Sequence, residues 1–230
     1  MGPPYDEPMI ERLPTRLEGP ILIQPKVLGD ERGFFAETYR RDEWTALGIP
    51  HEFVQENHSR SRRGVVRGMH FQARGGPRAE GQAKLVRCPR GAIVDVVVDI
   101  RRGSPTFGEW AAFELSDENM RQLLCPVGFA HGFCVLSELA DVVYRCDAYY
   151  DPTAEGGIAY DDPDLAIAWP AHLELTPSAR DARAPRLAEV ADELPFVYRR
   201  GPAGDGGSGS QAAGPAPPVL EPGVAHPAGD

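Results

Sequence analysis

Along the chain the apolar residues fall in short, β-branched runs separated by turn formers, and long stripes of helical period are rare. The runs 21–28, 34–39, 53–57, 65–71, 84–88, 92–100, 110–115, 122–125, 132–136 and 142–149 each predict a strand. The run 92–100 carries the pattern best: Val94, Val96, Val98 and Ile100 share one face of an extended chain, and Asp95 and Asp99 share the other. Helical spacing is clear at 41–47, with a turn expected after Ser116 and another after Pro177. Many short strands at regular spacing predict an all-β sandwich or barrel with a few short helices, not alternating βα units. Between residues 9 and 198 there is no G-x-G-x-x-G and no G-x-x-x-x-G-K-[ST], so dinucleotide and P-loop folds lose their main support.

Composition sets the limits of the folded unit. The chain has 230 residues, 42% hydrophobic and 25% charged, enough for one sizeable core. Residues 201–230 hold eight glycines, six prolines and no Lys or Arg, too little apolar surface to offset the entropy of ordering. We therefore expect a flexible extension at 1–8, one domain at 9–198 and a disordered Gly/Pro/Ala-rich tail at 199–230. The opening MGPPYDEPMIERLP has neither a basic nor an apolar signal region, and no run reaches the length of a membrane span, so the expected place is the cytoplasm. Cys88, Cys125, Cys134 and Cys146 form no C-x-x-C pair and read as small buried thiols.

The net charge of -10 argues against nucleic acid and acidic membranes as partners. Between Arg60 and Arg90, however, eight arginines and Lys84 face one acid, Glu80, a local excess of +8. Such a run is either a solvated face or a pocket for a small polyanion such as a diphosphate.

Functional groups gather in four strand-like stretches: Gly29–Phe35, Arg67–Gln72, Pro126–Phe133 and the segment around Tyr144. Extended geometry at 65–71 places Arg67, Met69 and Phe71 on one face and Val66, Gly68 and His70 on the other, with Gly68 leaving room for a ligand beside His70. Pro126-x-Gly128-x-x-His131 resembles the second motif of the cupin superfamily, whose barrels are double-stranded β-helices. The stretch matching the first motif, His70-Phe71-Gln72, lacks the second histidine. One imidazole from each motif falls short of a metal ligand set, so a cupin-type jelly roll without a metal or other cofactor is expected.

Taken in order, D-E-R-G-F-F, Q-E-N-H-S, R-G-M-H-F-Q, K-L-V-R-C, V-D-I-R, S-P-T-F-G, G-F-A-H-G-F and A-Y-Y resemble the dTDP-4-dehydrorhamnose 3,5-epimerase family across roughly residues 10–185. The resemblance implies proton abstraction beside a C4 ketone, inverting C3 and C5 of a dTDP-sugar for dTDP-L-rhamnose synthesis. It implies that His70 is the base, Asp181 its orienting carboxylate, Lys84 the partner of the enolate oxygen and Tyr144 the acid on the opposite face. It further implies diphosphate contacts from Arg32, Arg67 and His131, contacts to nucleotide and sugar from Glu37, Gln55 and Asn57, thymine stacking by Tyr150 and a binding carboxylate at Glu155. A homodimer that exchanges an N-terminal strand is implied as well.

Two features depart from the family pattern. Arg180 stands where many relatives have lysine, and the stretch 73–83 is longer than usual. The alternatives are an epimerase acting at C3 or C5 alone in an antibiotic deoxysugar pathway, a metal-dependent cupin oxygenase, and a sugar-nucleotide binder without activity.

Overall fold

The computed structural model describes residues 8–73 and 81–199. Most of the expected N-terminal extension and tail lies outside the described residues, as does 74–80 of the longer stretch. In chain order the strands are β1 (Ile10–Leu13), β2 (Ile21–Pro25), β3 (Val27–Asp30), β4 (Gly33–Ala36), β5 (Gln55–Arg62), β6 (Val66–Gln72) and β7 (Lys84–Arg90). They continue with β8 (Ala92–Asp99), β9 (Trp110–Ser116), β10 (Gln122–Cys125), β11 (Phe129–Val135), β12 (Leu139–Cys146) and β13 (Glu155–Gly157). Helix α1 spans Arg41–Ala46 and α2 spans Leu187–Val190, with 3-10 turns at Asp181–Arg183 and Ala191–Glu193.

Two antiparallel sheets face each other, ordered β1-β2-β10-β7-β12-β5 and β13-β6-β11-β8-β9, and β3 pairs with β4 in a separate hairpin. Their inner faces meet in a core that includes Leu22, Val86, Leu123 and Val142 from the first sheet and Ile93, Val97, Phe133 and Val135 from the second. Each such buried side chain contributes about 1.5–3 kcal/mol of apolar transfer. Strand β8 is buried on both sides. Its Val94, Val96 and Val98 turn outward as the alternation predicts, and Ile158, Leu165, Leu187, Leu194 and Phe196 of the C-terminal segment cover them. On the outer face of the six-stranded sheet, Ile21, Ile23, Leu85 and Leu124 pack on Trp44 and Ile49. This is a cupin-type jelly roll with few short helices, as the strand pattern led us to expect. Among the described residues no helix is long and apolar enough to cross a membrane.

Several boundaries differ from the expected ones, for physical reasons. The run 21–28 divides after Pro25: β2 stays in the large sheet and β3 leaves it for the hairpin. Run 53–57 shifts to β5, an edge strand of eight residues with no large apolar side chain, which hydrophobic alternation cannot detect. Its polar character suits an edge that must not pair with another chain. Run 132–136 begins earlier, at Phe129, so His131 sits within β11.

The most consequential difference lies in β6. Its partner β11 pairs His131 with His70 and Phe133 with Arg67, two steps on one strand against three on the other. The extra residue is a β-bulge, and it cancels the alternation that would have set Arg67 and His70 on opposite faces. Both side chains line the same cavity. Gly68 does not make room for a ligand as its position beside His70 suggested. With φ +141°, it lies so close to β11 that a Cβ there would sit 2.5 Å from Gly132 Cα.

Gly68→Ala should therefore cost about 2–4 kcal/mol, from the left-handed backbone and the steric overlap together. Gly103 has φ +79° and no atom within 4 Å of where a Cβ would stand, so Gly103→Ala is the control for backbone cost alone. Urea unfolding of both variants checks this, and a Gly68→Ala loss no larger than the control would exclude the close strand approach as the reason for glycine.

Candidate active site

A cavity of about 510 Å³ opens between the two sheets. The five-stranded sheet supplies Val66, Arg67 and His70 from β6, His131 and Phe133 from β11, and Glu155 from β13. The facing sheet supplies Ser59 from β5, Lys84 from β7 and Tyr144 from β12. The rim is closed by Thr176, Pro177, Ser178, Arg180 and Asp181 of the C-terminal segment.

That segment is fixed to β6 by backbone bonds. Val66 N–H donates to Thr176 O at 3.1 Å, and Thr176 N–H donates to Gly64 O at 2.8 Å. Five residues on, Asp181 N–H donates to Ser178 Oγ at 3.1 Å, at the start of a 3-10 turn. The Asp181 carboxylate, 5% exposed, lies 2.7 Å from His70 Nε2. An expectation of a solvated loop acid is natural for this position in sequence, and the packing overturns it. With Nε2–H donating to Asp181, Nδ1 is the nitrogen that keeps a lone pair. Burial holds the His70 pKa below its ordinary value, and the hydrogen bond and charge of Asp181 only partly offset that. The imidazole is neutral at pH 7 and able to accept a proton.

His131, the cross-strand neighbour of His70, forms a second pair: its Nε2 lies 2.9 Å from both carboxylate oxygens of Asp95. Asp95 is fully buried, which pushes its pKa up against the pull of His131 and Lys84. The sequence pattern places Asp95 on the face opposite the valines but gives it no role. Cys125 joins Asp95 and His131 in the one group of possible metal donors found among the described residues, all within 4.8 Å. The donors do not fit a resident ion well. Asp95 is engaged by His131, burial raises the Cys125 thiol well above its ordinary pKa, and a cation would have to displace protons deep in the core.

Tyr144 and Lys84 stand together on the facing wall, with Lys84 Nζ 5.9 Å from the Tyr144 ring centroid. Burial raises the Tyr144 pKa, so the phenol holds its proton at neutral pH. Arg67 Nε donates to Ser61 Oγ at 3.0 Å, a buried hydroxyl that sequence reasoning misses because serine on a polar edge strand carries no signal. Across the mouth, Glu155 Oε2 accepts from Tyr150 Oη and from Arg180 Nη1, each at 2.7 Å. Burial alone would raise Glu155, but these two bonds outweigh it and hold the carboxyl below its ordinary pKa.

The other expected contacts are placed less directly. Gln55 does not line the cavity: its Oε1 accepts from Tyr150 N–H at 2.9 Å and its Nε2 donates to Asn57 Oδ1 at 3.2 Å, so it holds the Tyr150 segment in place. Asn57 is the cross-strand neighbour of Tyr144, and its Nδ2 donates to Cys146 Sγ at 3.9 Å. Arg32 and Glu37 also stand apart from the cavity of their own chain. Arg32, at the turn of the β3–β4 hairpin, is exposed and bonded to Asp30, and Glu37 lies 3.9 Å from Arg40.

Comparison with known proteins places this geometry. The sequence profile of the dTDP-4-dehydrorhamnose 3,5-epimerase family matches residues 14–189. A dTDP-4-dehydrorhamnose 3,5-epimerase of Salmonella typhimurium is 48% identical over 177 residues, 76% of this chain and 94% of that one. A dTDP-4-dehydrorhamnose 3-epimerase of Streptomyces niveus is 44% identical over 180 residues, covering 78% of this chain and 84% of that one. A dTDP-6-deoxy-D-glucose-3,5-epimerase from Legionella pneumophila Philadelphia 1, crystallised in complex with dTDP-4-keto-L-rhamnose, superposes with a TM-score of 0.78 at 45% identity. That match covers 83% of this chain and all of the other. With its barrel, its cavity and its sequence in agreement, this chain belongs to the dTDP-4-dehydrorhamnose 3,5-epimerase family.

Proposed function

We propose that this protein inverts C3 and C5 of dTDP-4-dehydro-6-deoxy-D-glucose by proton transfer beside the C4 ketone, a step of dTDP-L-rhamnose synthesis in the cytoplasm. The observation that carries the reading is the placement of a base and an acid on facing walls of one cavity: His70 with Asp181 on one sheet, Tyr144 with Lys84 on the other. His70 Nδ1 takes the proton of the carbon next to the ketone, and the C–H electron pair moves to form the enolate at O4. A positioned base contributes about 10² to 10⁴ in rate. The Lys84 ammonium meets the oxygen as it becomes negative, a contact of the kind worth about 10² to 10³. Tyr144 then delivers its phenolic proton from the other face; His70 gives the abstracted proton to solvent, and solvent reprotonates Tyr144. No step calls on a metal or other cofactor, because the charge that develops has a lysine to meet it.

Arg67, steadied by Ser61, is the diphosphate contact this reading assigns within the chain, with His131 beside it. Tyr150 stacks on thymine, Gln55 and Asn57 hold its segment, and Glu155 and Arg180 close the mouth. Arg32 and Glu37 act in the cavity of a second copy. The support is threefold: they stand apart from their own cavity, Phe34 and Phe35 beside them are 65% and 60% exposed, and Glu37 Oε1 is buried without a hydrogen-bond partner. A homodimer that exchanges this N-terminal region satisfies all three.

Two experiments test the reading. In Tyr144→Phe, substrate hydrogens should still exchange with solvent deuterium through His70, while inverted product forms about 10²-fold more slowly or worse. Equal loss of exchange and inversion would make Tyr144 a packing or binding residue. Exchange confined to one centre in the wild type would instead assign a single-centre reaction, and exchange at C3 alone would be the activity named for the Streptomyces relative. For the dimer, Arg32→Ala and His70→Ala chains should each be impaired alone, yet recover activity when mixed, because one of the two sites then carries neither change. Absence of recovery in a mixed dimer would show that Arg32 serves its own chain.

A further inference from the structure

Lys84 is the first residue of β7, and the start of that strand is held by more than the sheet ladder. Ala83, just before it, is fully buried. Its N–H donates to Asp147 Oδ1 at 2.7 Å, and its carbonyl accepts the Asp147 N–H at 3.3 Å. Asp147 thus grips both backbone polar groups of the residue next to Lys84. The second oxygen of Asp147, Oδ2, lies 2.8 Å from His51 Nδ1, and the His51 ring stacks on Phe53 at 6.1 Å between centroids. One residue further out, Gln82 Nε2 donates to Ala148 O at 2.8 Å.

This arrangement is expensive for a strand end that any backbone pair could make. The Asp147 side chain is 4% exposed, and burying a carboxylate costs several kcal/mol unless it is fully hydrogen-bonded. Neither His51 nor Asp147 lines the cavity, so any effect on the reaction passes through what they hold. What they hold is the backbone from which Lys84 projects, between its cross-strand neighbours Cys125 and Cys146.

We propose that His51 and Asp147 form a positioning clamp that fixes the start of β7, so that the Lys84 ammonium stays where the enolate oxygen develops. The inference rests on the assignment of Lys84 to that oxygen. Asp147 is a positioning residue, and a displacement of its dependent lysine by about 1 Å is enough to cost turnover up to about 10²-fold.

A double-mutant cycle tests the clamp, with kcat and KM measured for the 4-keto dTDP-sugar in Asp147→Ala, Lys84→Met and the combined variant. Asp147→Ala should lower kcat about 10-fold and leave KM within a factor of about two. Asp147→Asn keeps an oxygen to accept from Ala83 and should restore most of the lost turnover. In the Lys84→Met background, Asp147→Ala should add no further loss. Losses that multiply, or an asparagine that fails to rescue, would overturn the clamp while leaving Lys84 in its role. Wild-type turnover in Lys84→Met would instead remove Lys84 from the mechanism, and the clamp with it. If Asp147→Ala does not fold, His51→Phe takes its place in the cycle, since it keeps a ring against Phe53 and removes the nitrogen that meets Asp147.

Discussion

The hydrogen bond between His70 and Asp181 joins residues 111 positions apart, and much of the architecture serves to make it. His70 reaches the cavity because β6 carries one extra residue against β11, and that bulge depends on two glycine backbones, Gly68 and Gly132, lying almost in contact. Asp181 reaches it because the C-terminal segment crosses the outer face of the same sheet, seats Leu187, Leu194 and Phe196 there, and bonds to β6 at Thr176. Covering the sheet and delivering the carboxylate are therefore one act of packing. A half-buried imidazole and a buried carboxylate are stable together only while both are paired, so the segment and the sheet hold each other in register.

The strands with strong alternation are legible from sequence because each has a face that must be dry. The opposed valines and aspartates of β8 are the clearest case, and the structure keeps that division. β5 escapes such a reading because its inner face borders the cavity and its outer face is wet, which leaves no apolar period to detect. Apart from the turn expected after Pro177, the segment 158–196 gives no pattern either, since it packs through scattered residues such as Ile158 and Leu165 without a regular period. Asp181 lies in that silent region, and only resemblance to a family could single it out. Ser61 and Asp147 go unnoticed, and Asp95 is seen without a role, for a related reason: each is a polar residue whose meaning lies in a partner on a different segment of the chain.

The basic stretch from Arg60 to Arg90 shows how a charge count misleads when strands alternate. Arg60 turns to the outer face and pairs with Asp141, holding that carboxyl down at a pKa of about 2. Arg87 borders a different hollow with Glu56 and Arg145. Among the described residues of the stretch, Arg67 and Lys84 are the cations that line the cavity. The site is thus built from two cations placed by strand geometry, with His131 and Arg180 added from elsewhere, while Arg60 and Arg87 lie outside it. Placement, not the sum of charge, decides what binds.

The pairing of His70 with Asp181 is tested most directly by the pH dependence of kcat/KM in the wild type and in Asp181→Asn. In the proposed mechanism the base is the neutral imidazole, so kcat/KM should fall as pH drops through the His70 pKa, which burial sets below the ordinary 6.5. The carboxylate is the chief influence raising that pKa, so its loss should move the acidic limb to still lower pH while turnover falls by about 10²-fold or more. A limb that stays in place or moves to higher pH, with turnover retained, would contradict the account that Asp181 orients His70 and shapes its basicity.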